Sequence, residues 1–137
     1  MIDNQLQFPY ARYVDEVWNA HDPSALERYF STGVRVHSLS PGIEPGIGLD
    51  YLQGLAQSLF DAFPEVFFII EDVIQDGDRL AARLTLEGVQ RGEFLGIAAT
   101  DKSMKVYDFA MYRIADGKFT DVWSLVDIQG INDQLLA

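Results

Sequence analysis

Two acidic-glycine turns, Asp76-Gly77-Asp78 and Asp116-Gly117, constrain this chain more than any other feature. Glycine adopts the left-handed backbone that a two-residue hairpin loop demands, and such loops join neighbouring antiparallel strands. Each turn sits between two long runs that alternate in hydrophobicity. Leu80, Ala82, Leu84 and Leu86 alternate with Arg79, Ala81, Arg83, Thr85 and Glu87. The pattern predicts four long strands over residues 66–75, 79–90, 104–115 and 118–127. A loop over 92–103 joins the second to the third.

The N-terminal half follows a different period. Tyr10, Tyr13, Val14, Val17 and Trp18 recur at helical spacing after Pro9, whose missing N–H is not needed in a first turn. His21-Asp22-Pro23 breaks that helix, and Asp22 before Pro23 suits the N-cap of a short second one carrying Leu26, Tyr29 and Phe30 inward. Residues 34–38 form a strand candidate. Pro41, Gly42, Pro45, Gly46 and Gly48 mark a loop over 40–48. Leu52, Leu55, Ala56, Leu59, Phe60 and Phe63 then make the clearest helical stripe in the chain, ended by Pro64. The tail over 128–137 is expected to form a last helical turn.

Helices first and an antiparallel meander last is an α+β order, and 137 residues suit one domain spanning 1–137. The strands, however, are apolar on both faces: Val66, Phe68 and Ile70 alternate with Phe67, Ile69 and Val73, and Trp123 and Leu125 with Val122 and Val126. A sheet with one wet face shows polar residues at every second position. A partner subunit on the outer face, giving a homodimer, is one cover; strong curvature of the sheet is the other.

Composition narrows the function classes. A net charge of −11 opposes general affinity for nucleic acid, which needs cations to displace counterions. The chain has no cysteine and two separated histidines, so no metal-ligand spacing is recognisable and no metal is expected. Gly42, Gly46 and Gly48 lack the spacing and the following lysine of a phosphate cradle. No basic-then-apolar leader and no membrane-length apolar run occur, so the expectation is a cytoplasmic protein needing no cofactor and contacting no membrane.

The order helix, helix, strand, helix, four-strand meander resembles the cone-shaped fold of the nuclear-transport-factor-like superfamily. Within it the chain resembles the SnoaL-like polyketide cyclase family. The residues carrying this are Gly96, Thr100-Asp101, the run Tyr112-Arg113-Ile114-Ala115-Asp116-Gly117-Lys118, then Asp121, Asp127, Gln129-Gly130 and Gln134-Leu135. Trp18-Asn19, Tyr29-Phe30 and the loop into Gly48 match in the N-terminal half. The resemblance implies a curved, antiparallel or mixed sheet wrapped around three N-terminal helices and enclosing an apolar pocket. It also implies an aspartate on the last strand acting as acid/base in an aldol ring closure, assisted by a histidine on the preceding strand. Through the ungapped stretch from Gly92 those positions fall on Ser124 and Ala110. Alanine does not titrate, and a lone serine is a poor base near neutral pH. Trp18 falls where relatives place a pocket-lining aromatic, and Leu55 and Leu59 are expected to face the same space.

Strand parity puts Asp108, Ala110 and Tyr112 on one face, shared by analogy with Ser124. Asp108 stands between Val106 and Ala110, company that strips solvation from a carboxylate and raises its pKa toward values useful for proton transfer. It is the first catalytic candidate; a wetted or hydrogen-bonded aspartate at a strand end is the alternative. His37, ending the first strand, is the second, with an ordinary pKa of ~6.5, although lone histidines are more often structural. Tyr13 and Tyr112 are placed to donate hydrogen bonds to a substrate oxygen, or serve as core aromatics. His21 is expected in solvent, and Asp72 to pair across strands with Arg83. Three functions stay open. The first is a cofactor-independent cyclase, isomerase or hydratase for a small apolar carbonyl compound. The second is a non-catalytic binder of a hydrophobic ligand, and the third a dimeric accessory protein.

Overall fold

The computed structural model describes residues 6–137. Helix α1 opens at Tyr10–Tyr13 and widens into a π-helical segment at Val14–Asn19. A 3₁₀ helix, Pro23–Arg28, follows; Asp22 caps it by accepting the Ser24 N–H at 3.1 Å. The elements then run β1 (Phe30–Ser38), β2 (Gly46–Ile47), α2 (Leu49–Ala62), β3 (Phe67–Asp76), β4 (Arg79–Val89), β5 (Ser103–Ala115), β6 (Lys118–Val126) and α3 (Ile128–Leu135). The fold is α+β. One six-stranded sheet has the order β2-β1-β6-β5-β4-β3, antiparallel except that β1 lies parallel to β6. The sheet is mixed and does not close.

Both hairpins form where the turn residues place them. Asp116 and Gly117 have φ of 51° and 76°, the left-handed pair that matches the twist of the flanking strands. Strand β1 begins at Phe30, four residues before the sequence signal. The 40–48 loop contains the short strand β2, where Gly46 packs so tightly on Tyr51 that an added Cβ would sit 2.5 Å from its ring. A bulge between Ile70 and Asp72 breaks the alternation of β3. Asp72 stands opposite Arg83 in register, but no ion pair joins them; Glu71 instead accepts a hydrogen bond from Thr85.

Alternation divides the long strands into two unlike faces. Leu80, Ala82, Leu84 and Leu86 of β4 and Met104, Val106, Ala110 and Tyr112 of β5 are buried against the helices. Phe8, Tyr112 and Phe119 stack there, with centroid spacings of 4.0 and 4.1 Å to Phe119. On the outer face Tyr107, Phe109, Met111 and Leu125 are 45–55% exposed.

His21 departs from its expected place in solvent. It adopts a left-handed backbone (φ 55°), bonds the Val66 carbonyl at 2.7 Å through Nε2 and packs on Phe60. It is partly buried and ties the inter-helix turn to the segment entering β3. No helix among the described residues is long and apolar enough to cross a membrane.

Candidate functional site

Between the inner sheet face and the helices lies a cavity of about 520 Å³. Its size falls in the range of small-molecule sites, and its wall is mostly apolar. Tyr10, Tyr13 and Trp18 enter from the first helix, Leu55, Ser58 and Leu59 from α2, and Leu84 and Leu86 from β4. Of the residues singled out in the sequence, Trp18, Tyr13, Leu55, Leu59, Asp108, Ala110, Tyr112 and Ser124 all line this space. Ala110 and Ser124 are register partners across β5 and β6.

Asp108 is the charged group of the inner wall. It is half-buried because part of its surface faces the cavity, while the atoms around it are largely apolar. That loss of hydration pushes its carboxyl up to about 7; a hydrogen bond from the Ser124 hydroxyl at 3.3 Å pulls weakly the other way. A carboxyl balanced near neutrality can take a proton at one moment and return it at the next.

A second polar group of side chains lies on the same wall. The Trp18 indole N–H donates to the Tyr13 hydroxyl at 2.7 Å, and the Tyr10 and Tyr112 hydroxyls share a hydrogen bond of 2.8 Å. Burial raises all three phenols above their ordinary pKa, so they stay protonated and can donate. The π-helical segment explains part of this geometry. Residues five apart stack along a π-helix, and Tyr13 and Trp18 are five apart. Tyr10 was legible in the sequence only as core, and its place on the cavity wall was missed.

His37 is the correction. It points away from the cavity, on the outer sheet face, where Nε2 meets Asp121 Oδ2 at 2.9 Å and the ring stacks on Trp123 at 4.6 Å. The cause is parity: Val34, Val36 and Ser38 turn inward, so Arg35 and His37 turn outward. Ser38 holds the cavity position that the sequence reading gave to its neighbour. Asp121 is buried beneath this outer cluster. Two hydrogen bonds of 2.8 Å from Arg35, with others from His37 and Thr120, hold its carboxyl well below the usual carboxylate range.

The polar groups at the mouth were also missed. Glu44, between β1 and β2, and Glu93, between β4 and β5, are exposed at the rim, and nothing in their local sequence distinguishes them from ordinary loop acids. Among the described residues no group of three or more His, Cys, Asp or Glu is placed to hold a metal ion.

The fold has known counterparts. A SnoaL-like polyketide cyclase from Jannaschia sp. CCS1 superposes with a TM-score of 0.83 at 24% identity, covering 93% of this chain and 89% of that one. TsrD from Streptomyces laurentii gives 0.80 at 25% identity, over 92% and 90% of the two chains. IdmH from Streptomyces antibioticus, assigned as a polyketide cyclase, gives 0.78 at 22%, over 90% and 94%. No curated protein matches the sequence. The pattern defining one family spans residues 10–135, nearly the whole length described above. The chain belongs to the SnoaL-like polyketide cyclase family.

Proposed function

We propose that the cavity binds a small apolar carbonyl compound and that Asp108 removes a proton from the carbon beside the carbonyl. The reaction would be a cyclisation or isomerisation that needs no cofactor, or a hydration in which this step runs in reverse and Asp108 gives the proton to that carbon. The observation that carries this reading is the position of Asp108: a carboxyl near neutral pKa, facing an apolar cavity, with a hydroxyl on Ser124 at hydrogen-bond distance. In the family the acid/base aspartate is expected at the position of Ser124. Here Asp108, on the adjacent strand, reaches the Ser124 hydroxyl, so a carboxylate is retained beside that position although its strand of origin differs. The C–H proton passes to the Asp108 carboxylate, and the bonding electrons become an enolate whose charge rests on the former carbonyl oxygen. Tyr112, Tyr13 or Ser124 steadies that oxygen by donating a hydrogen bond.

The test uses 2-tetralone, a neutral bicyclic ketone with acidic α-protons, and follows deuterium uptake from D₂O by NMR. The wild-type protein is expected to accelerate uptake with an inflection near pH 7, set by the Asp108 carboxyl at about 7. Asp108→Asn should remove roughly 10²–10⁴-fold of that acceleration while the circular dichroism spectrum is kept. An unchanged rate in the variant sinks the proposal.

Ala110 supports the rival reading, a binder without turnover, because it puts no titratable group beside Asp108 on the same face two residues along β5. Native mass spectrometry showing a retained hydrophobic ligand, with no exchange catalysis, would favour it. We also infer a homodimer through the outer sheet face, supported by the exposure of Tyr107, Phe109, Met111 and Leu125. Phe109→Glu should convert the dimer to monomer in sedimentation equilibrium; a wild type that is already monomeric would end that inference.

A further inference from the structure

The cavity holds three carboxylates and no cation. Asp108 lies on the inner wall, Glu44 and Glu93 stand at the rim, and no lysine, arginine or histidine among the described residues lines the space. Neither rim glutamate forms an ion pair among those residues. The two rim loops are held in place and meet each other. Tyr51 donates to the Glu44 carbonyl oxygen, Gln90 donates to the carbonyls of Gly92 and Ile97 at 2.9 Å each, and a Cβ on Gly42 would lie 3.5 Å from Leu95 Cδ1. The chain as a whole carries −11, so no long-range positive field offsets the rim.

This inference rests on the cavity being a ligand site, as proposed above. We propose that Glu44 and Glu93 are specificity-determining residues that select by charge: the cavity takes an uncharged carbonyl compound, an ester or ketone, and refuses the corresponding carboxylic acid anion or a phosphate-bearing conjugate. Charge conservation leads to this class. With a neutral substrate, proton transfer moves a single negative charge from the Asp108 carboxylate to the enolate oxygen, and the apolar interior behind the rim carries one charge before and after. A substrate carboxylate would add a second charge in an apolar space with no counterion, where repulsion is poorly screened. The tyrosine hydroxyls do not discriminate, since a donor serves a carbonyl and a carboxylate alike. The refusal of anions therefore falls on the three carboxylates, and the two at the rim meet the ligand first.

The test compares two probes that share a ring system, neutral 2-acetylnaphthalene and anionic 2-naphthoate, by equilibrium dialysis against the full chain at pH 8. At low ionic strength the ketone should bind about tenfold or more tightly than the naphthoate. The ratio should shrink as salt screens the exposed rim. In the Glu44→Gln, Glu93→Gln double variant the ketone-to-naphthoate ratio should fall about threefold or more, by gain of naphthoate affinity. Both side chains are exposed, so the fold should survive, and circular dichroism checks it. Equal binding of the two probes, or a ratio unchanged in the double variant, overturns the charge selection and leaves the cavity reading standing. Failure of both probes to bind overturns the cavity reading and the selection with it.

Discussion

Asp108 and Asp121 sit on neighbouring strands, on opposite faces of one sheet, and their carboxyls have moved in opposite directions. Asp121 is covered from solvent, at 3% exposure, but lies close beneath the outer surface, and it is held well below the usual carboxylate range. Asp108 opens onto the cavity yet sits deep in apolar surroundings, and lost hydration pushes it up to about 7. Low solvent exposure alone therefore does not decide the shift. Depth in apolar surroundings and the supply of replacement donors and positive charge decide it together. Arg35, His37 and Thr120 supply these for Asp121, whereas Asp108 has one serine hydroxyl at 3.3 Å. The outer face spends its polar groups on holding β1 to β6. The inner face leaves one carboxyl short of partners beside an open space, the arrangement that proton transfer needs.

The largest expected effect tests this contrast through stability, measured by urea unfolding at one protein concentration across pH. Asp121→Asn should cost about 1–2 kcal/mol at pH 7, because the Arg35 guanidinium loses its charged acceptor but, being half exposed, keeps its hydration. Asp121 has a depressed folded-state pKa. Its contribution is present above the unfolded value of ~3.9 and is lost as pH falls below it, so the variant should show a shallower loss in acid. Asp108 carries the opposite sign. Its folded-state pKa is raised, so the folded protein binds the proton more tightly and wild-type stability falls as pH climbs from ~4 toward 7. Asp108→Asn should therefore stabilise by about 2–3 kcal/mol at pH 8 and by little at pH 4. Parallel pH profiles for the two variants would break the comparison.

How far this contrast was legible in the sequence follows from what alternation can and cannot encode. The long strands were placed to within a residue or two, for instance 79–90 against Arg79–Val89 and 104–115 against Ser103–Ala115. There, turn chemistry and a period of two agree. The cavity-facing set of Asp108, Ala110 and Tyr112 came from the same parity, and Ser124 was added to it by the family resemblance. The parity of β1 was equally available, since Val34 and Val36 alternate with Arg35. Fixing on the strand end instead put His37 on the wrong face. Other features left no local trace. The π-helical spacing of Tyr13 and Trp18 is masked by a stripe that also fits 3.6 residues per turn. Strand β2 is two residues long inside a glycine- and proline-rich stretch. The rim position of Glu44 and Glu93 depends on two loops meeting far from each other in sequence.

His37 supplies the smallest effect and the sharpest separation of the two faces. Its imidazole lies on Trp123 and bonds Asp121, with its side chain 37% exposed. Arg35 already supplies Asp121 with two charge-assisted bonds, so removing the ring deletes one donor of several. His37→Ala should cost about 1 kcal/mol or less and leave deuterium uptake by 2-tetralone within about twofold of wild type, since no reacting atom in the cavity lies within reach of the outer face. The same variant would lose at least about tenfold if the imidazole relayed a proton to Asp108 through Asp121. The inner and outer aspartates would then be one coupled site, and the division of the sheet into a structural face and a chemical face would fail.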